Sequence, residues 1–142
     1  MTAEPVAGRG RFDSGLLMAI AVGGAAGTVI REVVERAAPS GPTGFPWATL
    51  AVNVAGSLLV GLVVVAALER SAPSRYLRPL VGTGFCGGLT TFSTFAVETD
   101  RLVRAGNVGI AAAYVVVSLV AGLAAVAVGA GLARGVLRRE EL

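Results

Sequence analysis

The 142-residue sequence has no histidine, no lysine and one cysteine, and only 15% of its residues are charged. Soluble domains carry roughly a quarter charged residues. Without histidine no Ser-His or Cys-His pair can form, and general acid–base catalysis loses its commonest carrier; an enzyme is not expected. The sole cysteine, Cys86, excludes an intrachain disulfide and leaves the redox compartment unreadable. Lying inside an apolar run, it reads as a small packing residue rather than a nucleophile. All twelve basic residues are arginine, and against nine acids they leave a net charge of +3. They are scattered at the ends of apolar runs, so they mark topology rather than a nucleic-acid footprint.

What the chain has is apolar length. It is 54% hydrophobic with a mean hydropathy of +0.75. Uncharged runs cover residues 14–30, 45–68, 79–97 and 105–133. A helix needs about 20 mostly apolar residues to cross about 30 Å of hydrocarbon. The sequence therefore predicts a small all-α membrane protein with four transmembrane helices. A polar tail (1–13) precedes a membrane domain (14–134), with spans over about 14–35, 46–68, 77–104 and 108–133. A basic and acidic tail (135–142) follows. The first run is taken as a span rather than a secretory signal, since its leader "MTAEPVAGRGRFD" mixes acids with arginines and no convincing cleavage site follows. Ser14 suits an N-cap, Pro46 suits the first turn of the second helix, and "APSGPTGFP" reads as a turn.

Four spans put both ends of the chain on one side. That side collects Arg9, Arg11, Arg70, Arg75, Arg78, Arg134, Arg138 and Arg139, and the other collects Arg36, Arg101 and Arg104. The bias predicts cytoplasmic N- and C-termini in a cell (plasma or inner) membrane.

The stretch "GFCGGLTTFSTF" (84–95) puts two adjacent glycines beside four hydroxyls, Thr90, Thr91, Ser93 and Thr94. Glycine costs roughly 1 kcal/mol against alanine in a helix interior, and the hydroxyls compete for backbone groups. Two readings stand. The third span is interrupted here, with freed carbonyls that favour a cation and backbone that lines a wet cavity. Alternatively the helix is continuous and the hydroxyls bond back to the preceding turn. Phe92 and Phe95 share a helix face, and aromatic edges carry partial positive charge. Asn53 is the one amide in the second run; its NH2 offers two donors, and taken alone it reads as an interhelical hydrogen bond. Tyr114 and Ser118, four apart, align hydroxyls on the fourth helix. Arg31 ends the first helix, where snorkelling is the default, and Glu98 reads as interfacial. None of the four uncharged runs holds an Asp, Glu, Lys or His. Proton-coupled transporters usually need such a group, whereas neutral donors suit passive passage of a small ion.

The motif at 84–95 closely resembles the signature of the Fluc (CrcB) fluoride channels. "GGAAGTVIR" (23–31), "VNVAGSLLVG" (52–61) and "YVVVSLVAG" (114–122) resemble the other helices of that family, so the likeness covers about residues 15–131. The resemblance implies an antiparallel, dual-topology-type dimer of four-helix subunits with the third helix broken. It implies two narrow fluoride pores and passive export of cytoplasmic fluoride, which relieves its toxicity. It also implies a structural sodium ion (Na+) at the dimer centre, held by backbone carbonyls at Gly87 and Thr90. Phe92 and Phe95 would face fluoride with their edges, beside Asn53, Ser93, Thr94, Tyr114 and Ser118. Arg31 would stand in the vestibule. Ala96 departs from the serine frequent in the family. The arginine bias raises a second question: whether the second subunit is this chain or an oppositely oriented homologous one. A small four-helix proton-coupled transporter is the alternative, but those need a carboxylate on the first helix, and 14–30 has none.

Overall fold

A computed structural model describes residues 13–41, 43–69 and 75–140. Most of the expected N-terminal tail, with Arg9 and Arg11, lies outside the described residues, as does Arg70. The described chain is helical: α1 (Ser14–Ala37), α2 (Trp47–Glu69), a π-helical stretch (Pro79–Cys86) running into the short turn α3 (Gly87–Leu89), then α4 (Phe92–Arg104) and α5 (Val108–Glu140). Among the described residues, four stretches are long and apolar enough to cross a membrane: Ser14–Ala37, Trp47–Ala66, Pro79–Arg104 and Val108–Arg138.

The ends of these helices follow from local chemistry. Asp13, not Ser14, caps α1, its carboxylate accepting the Gly15 N–H at 2.9 Å. The same carboxylate pairs with Arg75 at the entrance to the third span. In α2, Pro46 closes the first turn, its carbonyl accepting from Leu50 N at 3.1 Å. At the end of α4, Gly106 takes φ +79°. Its N–H bonds Val103 O, and Asn107 N bonds Leu102 O, at 3.0 and 2.9 Å. This is the paired closure that a left-handed residue makes possible. α5 continues past the expected Ala133 to Glu140, because "RGVLRRE" offers good helix formers with cations near the negative end of the dipole.

Packing divides the molecule into two close helix pairs. α1 lies against the first half of the third span, where side chains on Gly23 and Gly27 would strike the carbonyls of Leu80 and Phe85. α2 lies against α5 in the same manner: a side chain on Gly61 would strike Val126 O, and one on Gly129 would strike Leu58 O. Backbones approach this closely in membranes where small residues remove the barrier. α4 folds back onto α5, with Leu50, Leu102, Ala111 and Tyr114 forming a buried cluster. Much of the remaining aliphatic surface is exposed, Leu123 and Val29 among it, as hydrocarbon contact requires. The chain is a multi-pass membrane protein.

Candidate functional site

Thr90 and Thr91 lie between α3 and α4. Both are extended, at φ −80°, ψ 152° and φ −146°, ψ 121°. Two of the helical bonds that this costs are replaced by side chains. Thr90 ties back to the preceding turn, with its N–H and its Oγ1 both donating to Cys86 O at 3.0 and 2.9 Å. The Thr91 N–H, which an unbroken helix would give to Gly87 O, goes to Asn53 Oδ1 at 2.8 Å. Asn53 Nδ2 donates in return to Thr91 O at 3.1 Å. One amide side chain thus holds both faces of a single peptide residue, and Asn53 spends one of its two N–H groups doing so. Thr91 then caps α4, its Oγ1 accepting from Thr94 N at 3.1 Å. That bond replaces the one Thr94 N would give to Thr90 O. Thr91 Oγ1 also donates to Thr94 Oγ1 at 3.0 Å and lies 3.3 Å from Ser93 Oγ.

The carbonyls released by these exchanges are those of Gly87 and Thr90. α1 approaches the same region: Arg31 Nη1 lies 3.5 Å from Thr90 O, and Thr28 Oγ1 lies 3.5 Å from Gly88 O. Arg31 is half-buried and its nearest carboxylate, on Glu35, is 4.0 Å away.

Two cavities flank this segment. One, of 380 Å³, is bordered by Asn53, Ser57, Thr90, Thr91, Phe92, Phe95 and Ser118. It is neutral throughout, and the buried Ser118 hydroxyl meets no protein partner. Phe92 is 80% exposed, a large bare aromatic beside the bend. The other cavity, of 470 Å³, is bordered by Glu35, Ser40, Thr49, Ser93, Thr94, Glu98 and Arg101. Tyr114 borders neither. Its side chain is 0% exposed, with the ring 5.0 Å from that of Phe95 and 5.4 Å from that of Phe45.

The sequence-predicted residues are thus divided. Asn53, Phe92, Phe95, Ser118 and Thr90 meet around the neutral cavity. Ser93 and Thr94 face the second. Gly87 and Arg31 border neither. Sequence reasoning missed a carboxylate that borders the second cavity. Glu98 is not merely interfacial: its carboxylate accepts from Thr49 Oγ1 at 2.9 Å and from Tyr114 OH at 2.8 Å. The signal was available, since Glu98 lies three residues after Phe95 and Thr49 lies four before Asn53, which puts each on its neighbour's face. Ser57, four beyond Asn53, extends the same polar stripe. Among the described residues no cluster of His, Cys, Asp and Glu could hold a metal ion, so a bound cation would rest on neutral oxygens.

Comparison with known proteins agrees with the motif. Residues 18–130 match the family model described as CrcB-like protein, Camphor Resistance (CrcB). A protein of Mycobacterium bovis named fluoride-specific ion channel FluC 1 is 48% identical over 120 residues, covering 84% of this chain and 91% of that one. Proteins named fluoride-specific ion channel FluC from Chlorobaculum tepidum and Novosphingobium aromaticivorans are 46% and 45% identical. The first alignment covers 83% of this chain and 94% of the relative, the second 82% and 94%.

Proposed function

The chain belongs to the CrcB family, and from that membership and the geometry at Thr90 and Thr91 we propose that it is a passive, fluoride-selective channel. The observation that carries the reading is the neutral cavity beside the bend. Its polar groups are an amide, hydroxyls and ring edges. Such groups replace the water a small anion sheds without holding it as tightly as a full charge would, and conduction requires release as well as entry. Asn53 keeps one N–H beyond its two bonds to Thr91, Ser118 keeps its hydroxyl, and Phe92 and Phe95 offer edges 5.8 Å apart between centroids. Ser93, Thr94 and Tyr114 continue the polar groups toward Glu98, and Arg31 attracts anions near the mouth.

The functional unit is an antiparallel dimer. Phe92 is exposed in the single chain, and a side chain at Gly87 would meet nothing within 4 Å. Nothing in one subunit requires glycine there, so the close approach that does would come from a second. The carbonyls of Gly87 and Thr90, freed from amide partners by Asn53 and Thr91, suit a sodium ion. Two from each of two subunits would surround it, whereas one chain offers too few. The ion, when bound, supplies fixed positive charge at the dimer centre. Fluoride that enters a cell as HF and ionises would leave through the pores, with both chain termini in the cytoplasm. The arginine bias favours a partner that is an oppositely oriented homologue.

Proton-coupled transport is the second reading, and Glu98 is the observation that favours it. Fluoride-electrode efflux from liposomes holding only the purified chain, with chloride as control, tests both. Fluoride efflux without a proton gradient is expected; efflux that needs the gradient would overturn passive conduction. Efflux from this chain alone would also remove the need for a homologous partner. Phe92→Ile is expected to cut the flux at least tenfold while leaving the folded protein intact (about 1.4 kcal/mol per decade); an unchanged flux would count against the pore assignment.

A further inference from the structure

Asn53 and Gly56 are three apart on α2 and so share a face. They meet consecutive residues of the bend: Asn53 grips the backbone of Thr91, and Gly56 lies against the side chain of Thr90. A Cβ built on Gly56 would collide with Thr90 Cγ2, while the next atoms, Thr90 Cβ and Leu89 Cδ2, stand at 3.7 and 3.8 Å, ordinary contact distances. A single methyl group is therefore what the glycine makes room for. That methyl cannot swing away freely. Threonine is branched at Cβ and stiff at χ1, and its other branch, Oγ1, is held on Cys86 O at 2.9 Å. Moving Cγ2 out of the way breaks the tie that orients Thr90 and its carbonyl.

We propose that Gly56 is a positioning residue for the channel: by leaving space for the Thr90 methyl, it locks Thr90 onto Cys86 and fixes the direction of the freed Thr90 carbonyl. The flux readout rests on the channel reading above; the steric claim does not. Both glycine pairs between helices differ from this contact. At Gly61 a side chain would meet the Val126 backbone, which cannot rotate aside; at Gly56 it meets the end of one side chain, so the protein still folds with the bend displaced.

The test is a double-substitution cycle. Fluoride efflux per reconstituted protein is measured for the parent, Gly56→Ala, Thr90→Ser and the two combined. Overpacking of this size predicts that Gly56→Ala lowers efflux about tenfold with Thr90 present, and by less than about twofold once Thr90→Ser has removed the methyl. Equal losses in both backgrounds, or no loss in either, would overturn the proposal. Gly61→Ala is the control, and Thr90→Ser should not rescue it. If Gly56→Ala leaves no folded protein, Thr90→Val decides: it keeps the methyl branch and removes the tie to Cys86. Its efflux is expected to fall as far as that of Gly56→Ala should, and undiminished efflux would overturn the tie. A parent that passes no fluoride would sink the channel reading but not the steric claim. The same cycle is then read in thermal unfolding midpoints, where Gly56→Ala must lower the midpoint more with Thr90 than with Thr90→Ser, and equal shifts would overturn the contact.

Discussion

At the scale of single residues, the site is built from side chains that do the backbone's work. Asn53 accepts from the Thr91 N–H and donates to the Thr91 carbonyl, so Asn53→Ala leaves a buried N–H without a partner. A loss of about 1–3 kcal/mol in stability is expected, from the unmet desolvation cost of that one group, read by thermal unfolding of the solubilised protein. A pore residue with no structural duty would leave the midpoint unmoved. Asn53→Asp separates the two bonds, since it retains the acceptor for Thr91 N and loses the donor to Thr91 O. At Glu98, Gln substitution keeps one acceptor where Thr49 and Tyr114 need two. One of those buried hydroxyls then faces an NH2 group and must turn. Glu98→Gln is expected to slow fluoride efflux by about tenfold, an effect of the size of one misdirected buried hydrogen bond. Efflux at the parent rate would mean that ions do not pass this carboxylate. The chemistry of the neutral cavity was legible from residue types alone: the amide, the hydroxyls and the paired phenylalanines stood out from an apolar background. Glu98 escaped because it lies just beyond an uncharged run, where a carboxylate ordinarily faces water. Its partners come from α2 and α5, and sequence spacing within one helix does not reveal which helices meet.

At the scale of helices, glycines with different surroundings predict opposite outcomes. Gly61 and Gly129 hold α2 and α5 at backbone contact, and either side chain would meet a carbonyl that cannot move. Gly61→Ala or Gly129→Ala should abolish the monodisperse, folded protein in detergent chromatography. Gly131 and Gly135 lie on the same helix as Gly129, yet a side chain at either meets nothing within 4 Å. Gly131→Ala should therefore leave folding intact or raise stability by up to about 1 kcal/mol through helix propensity. Equal damage at Gly129 and Gly131 would contradict the described packing of α2 on α5. The four spans were legible because hydropathy and length decide them. Their ends were less so. Asp13 displaced Ser14 as the cap of α1 because its carboxylate also pairs with Arg75 across the fold. α5 outlasts its hydrophobic run because helix propensity does not stop where the membrane does. The π-helical winding of Pro79–Cys86 had no sequence signal that distinguishes it from an ordinary apolar helix.

At the scale of the whole molecule, the proposed dimer and ion make one further prediction. Replacing sodium by a large organic cation during purification should destabilise or silence a protein whose centre rests on the carbonyls of Gly87 and Thr90. Thermal midpoints and efflux measured with and without sodium read this, and identical values would remove the ion from the proposal. A last consequence lies in the grip of α2 on the bend. Residues 86–94 alone tolerate either winding, and what selects the extended pair is a clamp contributed from a distant point of the chain, Asn53. An excised peptide covering 75–104 in micelles should then wind as one uninterrupted rod, with slow amide exchange straight through Thr91. Because α2 precedes the third span in the chain, the clasp is synthesised before the segment it will open.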